Sequence, residues 1–368
     1  MTKPNESQEA KSYDQAVLKD LPKSEVEITV SIASDKWEKF RVQALKNLNE
    51  SLTVDGFRKG QVPENILAAK IGQGAIDEET AELAISRAYV DILIDNKIDP
   101  IGKPKITVTK LARGNPLEFK AVTAVMPKII LPDCGLAAGQ ALKKFPKAEI
   151  KVEEKEIEET ILKIRKSRAG LPDDSGKKAA ADKMKPEEKE KKILDSLPEF
   201  NDDFVRGLGE FRDIADFKAK IREMIGESKK DEAKEKSRIA IADALLETTT
   251  IDLPEIMVQA ELDRTQAQFV SDLERMGAKL DDYLKQAKKT LEEIRKDWRP
   301  QAEKKAKLQL ILNAIAAKEN IHPSKEEIDH EVSHIIEHYK DADRDRAAVY
   351  AETVLTNEKV FEWLEKGE

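Results

Sequence analysis

From Asp252 to the end of the chain, apolar residues return every three or four positions, and no stretch alternates residue by residue as a strand would. That periodicity commits the last third of the chain to amphipathic helices. Asp252, Leu253, Pro254 and Glu255 make a helix start, and Val258, Leu262, Phe269, Leu273 and Met276 then fall on one stripe. A second helix is expected over about Asp281 to Glu319, with Leu291, Ile294, Trp298, Leu308, Leu312 and Ile315 on one side and Pro300 kinking or interrupting it. Ser324 and Glu327 form a capping-box pattern ahead of Ile328, Val332, Ile335 and Tyr339. A last helix over about Arg344 to Glu365 carries Val354, Phe361 and Leu364. Charged residues make up 37% of the chain and aromatics 5%. Such a balance argues against one large enzyme core and fits long helices with wet faces.

The first third reads differently. Residues 1–22 are polar and are expected to be a flexible N-terminus. Glu25 to Ile32 alternates, with Val26, Ile28, Val30 and Ile32 on one face, as in a half-buried strand. A helix capped by Ser34 or Asp35 should follow to about Asn49, with Trp37, Phe40, Ala44 and Leu48 inward. After the turn GFRKGQVP, Pro63 opens a helix. A longer one covers about Ala75 to Asn96, with Ile76, Leu83, Val90 and Ile94 among its apolar positions. Strands Lys105 to Leu111 and Leu117 to Val125 flank the turn Gly114-Asn115-Pro116. The expected fold class is therefore α+β over 23–127, followed by an elongated, mostly α-helical domain. Residues 128–150, which contain Pro132 and Pro146 and follow Pro127, read as an extended linker. Residues 151–170 and 197–368 make up the helical domain, and 171–196 is a charged linker between its two parts.

Several chemistries find no support. The formal net charge of −8 does not suit coating nucleic acid, although a local basic patch can meet RNA phosphates. The run from Lys177 to Lys192 is such a candidate, with a solvated linker as the plainer reading. Cys134 is the only cysteine, so no intramolecular disulfide forms, and no histidine lies near it in sequence to activate it. No nucleotide, zinc-protease or nucleophile-elbow motif is present, so no cofactor is expected. His330, His334 and His338 recur on one helix face; adjacent members could chelate a metal, but the first and third lie about 12 Å apart along the axis. A polar face is the plainer reading, and no metal site is assigned. The N-terminus lacks the apolar core of a secretory signal, and no run approaches the ~18 apolar residues of a membrane span, so a cytoplasmic protein without membrane contact is expected.

The turn Gly56-Phe57-Arg58-Lys59-Gly60-Gln61-Val62-Pro63 is the sharpest local feature. Two glycines permit unusual backbone shapes and hold an apolar ring beside two cations at a tip. That combination suits docking on a surface with an apolar notch and anionic oxygens. The alternative is a surface turn whose Phe57 folds back into the core. GFRKGQVP is similar to the GFRxGxxP signature of bacterial trigger factors, and it stands in the same context, between a first helix and a Pro-started one. VEEKEIEETILKIRKSRAG and LPEFNDDFVRGLGEFRDIADFKAKIREMI resemble that family's segments into and out of its middle domain, and the remaining helices resemble its arm-bearing chaperone domain.

The resemblance implies docking on a protein of the large ribosomal subunit at the exit tunnel. Phe57, Arg58 and Lys59 would make the contact, with Gly56, Gly60 and Pro63 shaping the loop. It implies ATP-independent holding of nascent and unfolded polypeptides, with possible ribosomal RNA contact and a possible dimer away from the ribosome. Met257, Phe269 and Met276 are the candidate client contacts. A ribosome-bound adaptor without client holding is the alternative. The chain departs from the family at 171–196: 26 mostly charged residues, in a stretch without an aromatic from Phe145 to Phe200, stand where a prolyl isomerase domain of the FK506-binding type is usual. So short a segment does not build such a domain, and no enzyme activity is expected.

Overall fold

Val26, Ile28, Val30 and Ile32 are all buried, so the alternation in Glu25–Ile32 does produce a strand with one face inward. In the computed structural model, which describes residues 11–53, 57–58, 60–144, 151–169, 197–339 and 342–366, this strand is β2 of a four-stranded antiparallel sheet. The sheet comprises β1 (Gln15–Leu21), β2, β3 (Pro100–Lys110) and β4 (Leu117–Val125), in the order β1-β2-β4-β3. Val30 sits opposite Phe119 and Ile28 opposite Ala121, which puts the apolar residues of the two central strands on one face.

Strand β1 corrects the expectation of a flexible N-terminus through residue 22. Its residues are mostly exposed and follow no apolar alternation, so burial gives no signal. Ladder hydrogen bonds in the register Gln15↔Ser31 to Leu21↔Glu25 hold it, closed by a tight turn with Lys23 and Ser24 at positive φ. Tyr13 adds an anchor, its hydroxyl donating to Asp95 at 2.6 Å.

Helices α1 (Ser34–Trp37) and α2 (Arg41–Ser51), joined by a 3-10 turn, follow β2. The N-cap is Ala33, one residue before the expected Ser34 or Asp35, and it makes no side-chain cap. Helix α3 (Glu64–Ile71) takes Pro63 as its N-cap, and α4 (Gln73–Asn96) lies over the sheet. Its inward residues include Ala81, Ala84, Ile85, Ala88, Tyr89 and Ile92; Val90 and Ile94, expected among the core positions, are exposed. Small alanines let the helix approach the sheet closely, and larger apolar side chains end up outside. Trp37 fills the remaining corner, fully buried, and its indole N–H donates to the Asn115 carbonyl at 3.0 Å.

The described chain divides into two units, residues 1–132 with 249–321 and residues 133–248 with 322–368. The helices after residue 252 are therefore shared between the two. The first unit adds to the sheet domain α9 (Glu255–Arg275), α10 (Leu280–Ala287) and α11 (Leu291–Glu319). Helices α9 and α11 pack as an antiparallel pair: Val258 and Leu262 meet Ala302, and Arg295 and Arg299 reach the α9 polar groups. The expected single helix from Asp281 is broken, but not at Pro300, which lies inside α11. The break falls at Lys288, in the left-handed region, after which Thr290 and Glu293 form a capping box.

In the second unit, α5 (Cys134–Lys143) occupies the expected extended linker. The prolines bracket this segment, and Asp133 caps it by accepting from the Leu136 N–H at 2.9 Å. Alanines 137, 138 and 141 face inward, next to α8 (Ile214–Thr248). Helix α6 (Glu154–Arg168) and the short α7 (Asp202–Arg206) pack on α8 around Ile157, Ile161, Val205, Phe217 and Ile221. Helices α12 (Lys325–His338) and α13 (Arg344–Lys366) form a pair through Val332, Ala347 and Ala351. The charged linker 171–196 lies outside the described residues.

Candidate functional site: the loop between α2 and α3

Helix α2 ends at Ser51 because Asn49 has other work. Its side chain reads the backbone of Val62 as a strand neighbour would, with Oδ1 accepting from the Val62 N–H and Nδ2 donating to the Val62 carbonyl, both at 2.9 Å. The Asn49 carbonyl also accepts from the Gly60 N–H at 3.1 Å. The two shoulders of the loop are thereby joined at its base. Below them Val62 and Leu67 are buried, with Leu45, Leu48, Leu52 and Ile71 packed around. The helices beneath are tied by Arg41, whose guanidinium bridges Glu64 of α3 and Asp77 of α4, each at 2.7 Å.

Above this base the loop turns outward. Gly60 has φ +83°, with no atom within 4 Å of where a Cβ would sit. This is open space with a backbone conformation that glycine adopts cheaply. The Gln61 N–H bonds the Arg58 carbonyl at 3.0 Å, which closes the turn. Phe57 is 40% exposed and Arg58 is exposed. Phe57 does not fold back into the domain core. Gly56 and Lys59 lie outside the described residues. The arrangement presents an aromatic ring and a guanidinium side by side on a pinned loop, suited to binding and without a nucleophile or general base. Sequence reasoning missed Asn49 and Val62; an asparagine just before a helix end, thirteen residues ahead of its partner, carries no local signature.

The three candidate client contacts are not brought together. Met257 is half-buried near the start of α9, and Met276 is 73% exposed at its other end, about 28 Å away along the axis. Phe269 is already engaged, with Tyr283 at 5.0 Å and Trp298 at 5.2 Å between ring centroids, both edge-on. Other large apolar groups are open instead, notably Val349, Tyr350 and Val354 on α13. His330, His334 and His338 are exposed, and His334 stacks edge-on against His338 at 4.6 Å. Among the described residues no group of three or more His, Cys, Asp or Glu side chains could hold a metal ion. Cys134 is buried at the start of α5. No helix among the described residues is long and apolar enough to cross a membrane.

Two family models match the chain. One described as bacterial trigger factor protein covers residues 15–164, and one described as bacterial trigger factor protein C-terminus covers residues 213–365. Among curated proteins, the trigger factor of Moorella thermoacetica is 27% identical, with 86% of this chain and 85% of the relative aligned. That of Halalkalibacterium halodurans is 27% identical over 85% of this chain and 88% of its own. A solved structure described as "Promiscuous Substrate Recognition in Folding and Assembly Activities of the Trigger Factor Chaperone" superimposes with a TM-score of 0.54. The alignment covers 96% of this chain and 99% of that one at 18% identity, a likeness of fold.

Proposed function

The chain belongs to the bacterial trigger factor family, and from that premise we propose that it is a molecular chaperone that docks on the ribosome and holds nascent polypeptides. The single observation that carries the docking is the exposed Phe57–Arg58 tip on a base pinned by Asn49. An exposed aromatic ring gains little from water and gains much from an apolar notch, while the guanidinium suits anionic oxygens. Phe57, Arg58 and Lys59 would contact a large-subunit protein at the tunnel exit, with Gly56, Gly60 and Pro63 shaping the loop. Client contacts would be apolar, weak and multiple, so release needs no nucleotide. Met276 and the α13 stripe are better placed for them than Phe269. The site of action would be the cytoplasm. Prolyl isomerase activity would be missing, because the family matches fall on either side of residues 171–196, a segment too short for an isomerase domain.

The test is cosedimentation with ribosomes. Phe57→Ala/Arg58→Ala/Lys59→Ala should lose most pelleting while retaining the wild-type melting curve, and equal pelleting of both proteins would defeat the docking. A salt titration apportions the contact: the part lost with salt belongs to Arg58 and Lys59, the residue to Phe57. Client holding is read separately, from suppression of aggregation of an unfolded protein by the full chain. A complete lack of suppression alongside normal pelleting would favour the adaptor. Fragments beginning at residue 128 are unsuited, since 249–321 belongs to the same unit as the sheet.

A further inference from the structure

Between Pro100 and Pro116 the chain carries Lys103, Lys105, Lys110 and Arg113 and not one carboxylate, in a protein of net charge −8. This stretch is the edge strand β3 with its turn, and all four cations are exposed. Elsewhere in the sheet domain several cations have a carboxylate partner, among them Lys11 with Asp95, Lys36 with Asp14 and Lys120 with Glu27. Here Lys110 pairs with Glu118 at 3.5 Å and Arg113 lies near enough to Glu38 to help hold its carboxyl down, while Lys103 and Lys105 have no ion pair among the described residues. The carboxylates facing the strip are few. Asp99 precedes it, Glu27 is taken by Lys120, and Glu38 accepts from Ser34 and the Gly114 N–H.

Register places the strip on the solvent face. Lys105 is paired with Val122 and Thr107 with Lys120, so Lys105 and Thr107 point away from α4, while Ile106 and Val108 point toward it. Edge strands often carry lysine to discourage pairing with other chains. One or two lysines meet that need, however, and it does not account for four cations without a carboxylate between Pro100 and Pro116 of an acidic protein. A strip of net positive charge with a hydroxyl along an extended strand is complementary to a line of phosphates. No aromatic residue lies on this strand or its turn to stack a base, so readout of unpaired bases is not provided for.

We propose that the β3 edge and its turn bind the phosphate backbone of structured RNA without regard to sequence. The site is separate from the α2–α3 loop and does not depend on that loop's docking. If both hold, the RNA within reach is ribosomal, and the strip supplies a second contact that orients the docked protein.

The test uses the full chain and a fluorescein-labelled RNA duplex of about 16 base pairs, the span typical of a compact duplex-binding domain, followed by anisotropy between 50 and 200 mM KCl. Wild type should bind with an affinity that falls steeply as salt rises. Lys103→Gln/Lys105→Gln/Arg113→Gln should bind at least tenfold more weakly at 50 mM, with a log–log salt slope shallower by about 2 to 3. The charge-keeping variant Lys103→Arg/Lys105→Arg/Arg113→Lys should bind as wild type, which separates charge from folding. Phe57→Ala/Arg58→Ala should leave duplex binding unchanged, so failure of the loop and failure of the strip read differently. No binding by wild type, or an unchanged affinity in the glutamine variant, would overturn the proposal. So would polyglutamate of equal charge competing as well as unlabelled duplex, because the strip would then be a site for acidic polypeptides.

Discussion

Asn49 ties the two shoulders of the α2–α3 loop together from outside its tip. Its two hydrogen bonds to Val62 substitute for a β-ladder at the one point where the chain must reverse. Asn49→Ala should cost about 1 to 2 kcal/mol of stability in urea melts, and should weaken ribosome pelleting although Phe57 and Arg58 are intact. The loss would come from a loop no longer held ready. Wild-type pelleting by this variant would show that the tip needs no pinned base. A second residue-scale test concerns Gly102, which has φ +73° in the irregular start of β3 and would place a Cβ 2.3 Å from Ile256 Cδ1 of α9. Gly102→Ala should destabilise by about 1 to 2 kcal/mol through backbone strain alone, with a further contribution from the clash. In an Ile256→Ala background the clash part should vanish and the strain part remain. A penalty of identical size in both backgrounds would deny that Ile256 seats on this glycine. The exposed turn carrying Phe57 and Arg58 was legible in the sequence because it is a contiguous glycine-flanked segment. Asn49 and Gly102 were not, because each acts on a partner distant in the chain.

At the scale of elements, the second unit is laced by ions as well as by apolar contact. Arg238 of α8 bonds Glu358 and Glu365 of α13, at 2.8 Å and 2.6 Å, and lies over the Phe361 ring at 5.3 Å. The Arg238 guanidinium, helped by Lys234, pulls the Glu358 carboxyl down to about 2. A depressed carboxylate stabilises fully above its unfolded value of about 4.3, and that contribution drains away as pH falls through the folded value. The urea midpoints of wild type and Glu358→Gln should therefore differ by a constant amount above about pH 5 and converge between there and about pH 2. A gap unchanged at pH 2 would remove Glu358 from the acid response. Helices α12 and α13 were readable from periodicity and the Ser324–Glu327 capping box, which the structure contains. The strand β1 and helix α5 were not. The first is held by backbone pairing with exposed side chains, and the second hides between prolines that read as a linker. The α10–α11 break at Lys288 was outweighed in the sequence by the conspicuous Pro300, which the helix accommodates.

For the whole molecule, the sequence was most informative about class: a small sheet domain, then helices. It did not show how the helices are shared out, because periodicity tells which face is buried and not against what. The same gap left the client surface undetermined, and Phe269 proved to be packed between aromatic neighbours. The expected lack of an isomerase is a property of the entire chain and is tested on it. A chymotrypsin-coupled assay with a prolyl tetrapeptide should give the uncatalysed rate at micromolar protein. Catalysed turnover, retained after active-site titration excludes a contaminating isomerase, would refute the reading.

The first unit is assembled from two stretches, 1–132 and 249–321, with more than a hundred residues of the other unit between them. During its own synthesis, at about 5 to 20 residues per second, the sheet domain would wait roughly 7 to 30 s for α9, which seats on Gly102 and on the Lys23–Ser24 turn. For that interval Ser24 would lack Asp252 and Lys23 would lack Glu255, the partners that hold them in the finished protein. The chain thus passes through a stage in which the sheet and the α2–α3 loop are complete while the helices that close the first unit are still to be made.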